Sequence, residues 1–203
     1  MRLSIFMGRG CVYRFALEND LFTKSDRYYT NGFKASWVSP GIDKSLNASA
    51  CHHLVPTWFA HRLSDLAGVS YKARTLKEHN ITVSWGQDIF TPADRKPITL
   101  ITNDRPYSAW MYLGFGMNGR ENTDERKNVD PSSALLGWDI LHSLEIDIGV
   151  VGPAALGEQF QNGVHRARDL ATWDGWRNQL RNEPGIKLTY ERKYRPDFIR
   201  ENL

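Results

Sequence analysis

No stretch of this chain is apolar over the ~18 residues that a membrane-spanning helix requires, and the mean hydropathy is -0.49. Both facts argue against a helical membrane protein. They leave open a membrane β-barrel, whose strands are only half apolar. Charge blocks of one sign are also missing. The 26 Lys and Arg and 23 Asp and Glu are interspersed and leave a formal net charge of +3, so no electrostatic footprint for nucleic acid is present. Only two cysteines occur, Cys11 and Cys51. They have no zinc-type spacing, and the sequence does not decide between a pair and two separate thiols. There is no Gly-x-Ser-x-Gly elbow and no Ser–His–Asp set legible as a motif. Phosphate-cradling and dinucleotide glycine motifs are absent as well. Serine nucleophiles, nucleotide cofactors and nucleic-acid partners therefore have no support. The apolar stretch Leu3–Met7 is shorter than a secretory core of ~7–15 residues, so no intact signal peptide is read over 1–11.

What the chain does have is a period of two. In Ser143–Val150 every even position is a large aliphatic and every odd one is small or acidic. That is a strand with one apolar and one polar face. Glu145 and Asp147 share the polar face. Ile81, Val83 and Trp85 alternate with Thr82, Ser84 and Gly86. Tyr13, Phe15 and Leu17 alternate with Arg14, Ala16 and Glu18. Phe33, Ala35 and Trp37, the run Trp110–Met117, and Leu188, Tyr190 and Arg192 bring the clear segments to six, and about seven strands are expected in all. Glycines on one face of the 110–117 run leave room inside a crowded barrel.

Three stretches break the pattern. Residues 46–70 carry Leu54, Trp58, Phe59, Leu63 and Leu66 at helical spacing, and read as a loop with a short helix. Residues 120–131 read as a polar loop. Residues 155–180 read as helical, interrupted at Trp173–Trp176. The 203 residues suffice for one domain with a sizeable core. Alternation alone fits a soluble sandwich, with apolar faces inward, or a lipid-embedded barrel, with them outward. Seven Trp, several near strand ends (Trp37, Trp85, Trp110 and Trp138, with Tyr112), favour a barrel with aromatic girdles.

Three segments carry candidate chemistry. Glu18–Phe22 and Asp26–Gly32 place Asn and Asp beside turns, where their hard oxygens suit calcium; a capped turn between strands accounts for the same residues. Glu158, Gln161, Asn162 and His165 recur at spacings of three and four and so share a helix face. A His there can take a proton from water near neutral pH, although a solvated helix face uses the same residues. Arg95 and Lys96 can grip phosphate or carboxylate groups, or serve as ordinary loop charges.

The order of several motifs is more specific than any one of them. Glu-Asn-Asp-Leu-Phe (18–22), Asp-Arg-Tyr-Tyr-Thr-Asn-Gly (26–32), Gly-Gln-Asp-Ile-Phe-Thr-Pro (86–92), Asp-Arg-Pro-Tyr-Ser-Ala-Trp (104–110) and Gly-Val-Val-Gly-Pro (149–153) occur in sequence. Gln-Asn-Gly-Val-His (161–165), Gly175-Trp176 with Asn178-Gln179-Leu180, and Asn182-Glu183-Pro184 follow. Over roughly residues 12–195 the chain resembles the lipid A 3-O-deacylase family. That resemblance implies an all-β, antiparallel outer-membrane β-barrel, with a helical excursion near 155–180. It also implies calcium-dependent hydrolysis of the 3-O-linked acyl chain of lipid A. By position, His165 would be the general base, with Asn19 and Thr30 beside it. Asn19 and Asp20 would hold Ca2+, and Arg95 with Lys96 would meet the charged headgroup. Two positions depart from the family pattern: Ala171 stands where the resemblance implies a glutamate, and Trp173 where it implies a tyrosine. Read against the family, residues 12–203 form a single barrel domain, incomplete at its C-terminus. A non-catalytic barrel with a structural or ligand-binding role is the alternative that Ala171 raises.

Overall fold

The computed structural model describes residues 2–7, 11–19, 28–39, 76–94, 97–122 and 138–196. Seven strands form one antiparallel sheet in chain order: β1 (Arg2–Met7), β2 (Cys11–Asn19), β3 (Tyr28–Val38), β4 (Leu76–Thr91), β5 (Ser108–Asn122), β6 (Trp138–Val151) and β7 (Glu183–Pro196). β1 is an addition to the expected set, since the sequence pattern assigns no strand to residues 1–11. The expected loop at 46–70 lies outside the described residues, as does any pairing of Cys51; of the expected loop at 120–131, residues 120–122 instead continue β5 and the remainder lies outside the described residues.

The register shows which way the two faces turn. Trp85 pairs with Leu113, Leu113 with Ile148, and Ile148 with Ile186. This row is exposed, with Leu113 at 51% and Ile186 at 77%. Phe15, Leu17 and Leu188 lie on the same face and are exposed too. The opposite face is polar and concave. A cavity of about 640 Å³ there is lined by residues from β2 through β7, among them Arg14, Lys34, Asn118, Glu145 and Lys193. The Lys34 ammonium lies 2.7 Å from both Glu145 oxygens, and Ser84 Oγ donates to Glu145 at 2.8 Å. Lys187 Nζ lies 2.9 Å from Asp147 Oδ2. A wall that exposes aliphatics and gathers its ion pairs inside is built for lipid on its convex side. The sandwich reading, which needs Ile146 and Ile148 in a core, finds no second sheet over them among the described residues.

Trp110 and Tyr112 depart from the girdle expectation. They fall on the polar face, stacked at 5.9 Å and 19°, because strand parity sets them opposite Met111 and Leu113. Tyr112 lies across Gly86, and Trp110 covers Gly185. The large rings fill the gaps left by residues without side chains.

The buried core sits at one end of the wall, on its convex side. Ile89 and Ala109 from the sheet meet Tyr107, Ala155 and Trp176. Residues 152–182, between β6 and β7, fold back over that end. They form a 3₁₀ turn (Pro153–Ala155), helix α1 (Gly157–Ala167) and a second 3₁₀ turn (Asp174–Asn178). The expected helical excursion is thus one three-turn helix flanked by short turns. Its start depends on Gly152, whose φ of 104° suits glycine alone. A Cβ there would also meet the Arg181 carbonyl oxygen at 2.5 Å.

Candidate functional site between helix and wall

Helix α1 turns its polar side toward the sheet. Gln161 and Asn162 are buried, and Glu158 and His165 are half-buried. The helix can approach closely because residue 157 is glycine: a Cβ there would lie 2.5 Å from Ala109 Cβ and 2.6 Å from the Trp176 ring. Polar atoms held this close to an apolar wall need partners, and most of them have one. Gln161 Oε1 accepts from Trp176 Nε1 at 2.9 Å. Gln87 Nε2, on the convex face of β4, donates to the Ala155 carbonyl at 2.6 Å. Asn162 Oδ1 accepts from the Trp173 backbone N–H at 3.1 Å, and its Nδ2 donates to the Trp173 carbonyl at 3.4 Å. Tyr107 packs on Trp176 with ring centroids 5.0 Å apart.

That clasp fixes the segment after the helix, and the segment fixes the histidine. His165 Nδ1 lies 2.6 Å from the carbonyl oxygen of Ala171. A carbonyl only accepts, so Nδ1 carries the proton and donates. The lone pair is thereby assigned to Nε2, the tautomer that a base needs. The Trp173 ring stands edge-on to the imidazole at 6.0 Å and 71°. Ala171 therefore brings a backbone acceptor to the place where the resemblance implied a carboxylate. Side-chain motifs do not encode such a contribution, and sequence reasoning missed it. It also missed Gln87 and Trp176 as the supports of the helix.

The structure places the other expected residues unevenly. Asn19 ends β2, where its backbone pairs with Asn31 of β3. Asn31 in turn pairs with Ile89, and Ile89 with Ala109, directly beneath the helix. Asn19 thus lies in the same cross-strand row as Ile89, two strands or about 10 Å away. Thr30 falls at the irregularity between Tyr29 and Asn31, the one break in the β3–β4 register. Bulges of this kind re-aim side chains near sites. Asp20, Arg95 and Lys96 lie outside the described residues. The loop that leads to Arg95 is anchored nearby, since Asp104 accepts from the Ala93 N–H at 2.6 Å. Asn178 Nδ2 likewise donates to the Ile98 carbonyl at 2.6 Å.

Among the described residues no three His, Cys, Asp or Glu side chains gather as a metal cluster. The fit for calcium therefore rests on the donor chemistry at the β2–β3 end. Asn19 and Asn31 are direct cross-strand partners, and Thr30 and Asp20 are their chain neighbours. All four are hard oxygen donors, the type that Ca2+ takes.

Comparison with known proteins bears on the fold and the family. No curated protein matches the chain. A solved structure, "LpxR from Salmonella typhimurium", matches with a TM-score of 0.56 at 19% identity, covering 89% of this chain and 50% of that one. The chain thus spans half the length of the structure it resembles, and the likeness establishes the fold. The family model described as "Outer membrane protein LpxR" matches residues 8–202. The wall with its convex apolar face, the helix lying on its end and this match over nearly the whole chain establish together that the protein belongs to the LpxR family of outer-membrane proteins.

Proposed function

We propose that the protein hydrolyses the 3-O-linked acyl ester of lipid A, with His165 as the general base and Ca2+ as the cofactor. The observation that carries this reading is the hydrogen bond from His165 Nδ1 to the Ala171 carbonyl. It leaves Nε2 able to take a proton from water as that water attacks the ester carbonyl. No serine is needed, which agrees with the missing nucleophile elbow. Asn19, Asp20 and Thr30 would hold calcium at the end of β2 and β3. Bound there, calcium supplies Lewis-acid polarisation of the ester carbonyl. The Trp173 ring helps hold the imidazole in place, while Arg95 and Lys96 meet the phosphorylated headgroup.

The test is mass spectrometry of lipid A from outer membranes that hold the protein, with and without calcium. Calcium-dependent loss of the 3-O-linked chain, abolished by His165→Ala in a folded barrel, is the expected outcome. Intact lipid A from a folded, membrane-inserted wild type would move the assignment to a non-catalytic barrel of the same family.

A further inference from the structure

Helix α1 has three sectors rather than two. The side toward the wall carries Gly157, Gln161, Asn162 and His165. At 3.6 residues per turn, Phe160 and Val164 fall about 40° apart on one flank, and Leu156, the residue that caps the helix, lies one turn before Phe160. Gln159 and Arg166 fall on the opposite flank. The apolar flank is exposed: Leu156 at 42%, Phe160 at 43% and Val164 at 38%. A short helix in water has no reason to line up three large apolar side chains on an open flank while burying its amides. A helix lying in a membrane interface does, because one flank meets acyl chains and the other meets water.

The position of the helix says what covers that flank. α1 lies on the convex side of the wall, over Ile89 and Ala109. Four residues along β5 from Ala109, on the same face, is Leu113, the start of the exposed aliphatic rows that face lipid. At the other end of those rows Tyr190 and Tyr194 are exposed. There His142 Nδ1 lies 2.9 Å from Tyr190 Oη, and the Arg192 guanidinium lies 5.0 Å from the Tyr194 ring. That is the composition of an interfacial belt. The helix and this belt bracket the aliphatic rows, which places α1 at the opposite membrane surface.

From this geometry we infer that α1 is an interfacial helix whose Leu156–Phe160–Val164 flank rests on the acyl chains of the leaflet beside it. Its Gln159–Arg166 flank faces the aqueous side. If the hydrolase reading holds, an acyl chain reaches His165 along the bilayer and never crosses water.

The experiment reads depth and needs no turnover. Cys11→Ser and Cys51→Ser clear the background, and a nitroxide is attached through Phe160→Cys, Val164→Cys, Gln159→Cys or Arg166→Cys, one at a time. The full chain is inserted into vesicles of phosphatidylcholine and phosphatidylglycerol. Collision with oxygen is compared with collision with a water-soluble nickel complex. The expected result is a severalfold higher oxygen-to-nickel ratio at 160 and 164 than at 159 and 166. Equal ratios on both flanks would overturn the inference. So would labels at 160 and 164 shielded from both reagents, which would mean that a second copy or another protein covers the flank. If labelling at 160 disturbs insertion, Leu156→Cys reports on the same flank. Because His165→Ala leaves the flank untouched, the same depth is expected in that variant, and failure of the hydrolase reading stays distinguishable from failure of this one.

Discussion

Replacing Trp176 with alanine should free the helix from the wall without unfolding the sheet. Trp176 is fully buried, packs on Tyr107 at 5.0 Å and donates Nε1–H to Gln161 Oε1 at 2.9 Å. Removing a buried aromatic of this size costs about 3–5 kcal/mol. The loss falls on the helix–wall junction, whereas the strands keep their ladders. At 1.4 kcal/mol per factor of ten, amide exchange in 157–167 should accelerate by roughly two to three and a half orders of magnitude. Exchange in the central part of β5 and β6 should change little. Trp176→Phe keeps most of the packing but leaves Gln161 Oε1 buried without its donor, a penalty of about 1–3 kcal/mol. Its helix exchange should fall between wild type and Trp176→Ala. Hydrogen exchange with peptide-level mass spectrometry reads both variants. Unchanged protection of 157–167 in Trp176→Ala would refute the claim that this core holds the helix.

Other outcomes follow from the same geometry. Asn162→Ala should lower kcat about tenfold to a hundredfold with little change in KM, since it releases the segment that holds the Ala171 carbonyl on His165. Asn162→Asp, which still accepts from the Trp173 N–H, should recover part of the loss, and a purely structural role would not give that order. Gly152→Ala should destabilise by about 1–3 kcal/mol, measured by denaturant unfolding, because φ at this position is 104°. Lys34→Ala should cost about 1 kcal/mol and leave deacylation unchanged. Its partner Glu145 lies on the concave face, across the wall from His165. A chelator should abolish deacylation and calcium should restore it; activity that persists in chelator would sink the calcium assignment.

Much of the wall was legible in sequence because period two is a local property. The run 143–150 alone sorted Glu145 and Asp147 from Ile146 and Ile148. Alternation could not say which face meets lipid, since that depends on what lies beyond each face. The exposure of Leu113 and Ile186, beside the paired Lys34 and Glu145 on the other side, decides it. Trp110 and Tyr112 were misplaced for a related reason: an aromatic near a strand end reads as girdle until its parity is known. His165 stood out because an imidazole on an amide-rich face is unusual, and its role as a base came only with the family resemblance. Its orienting partner was invisible, because a main-chain carbonyl has no residue type. The seating of α1 was equally hidden. It depends on Gly157 meeting Ala109 and on Gln161 meeting Trp176, contacts set by folding rather than by spacing.

The supports of the helix form a local patch. Gln87 on β4, Ala109 on β5, Tyr107 just before it and Trp176 just after the helix hold the segment that carries His165. Among the described residues these ties run to β4 and β5. Such an arrangement behaves as a clip on the edge of a wall. Changes of strand number or of the greasy belt elsewhere can accumulate without dislodging the imidazole. A graft of β4–β5 and residues 152–182 onto another outer-membrane wall would be expected to carry the oriented histidine with it.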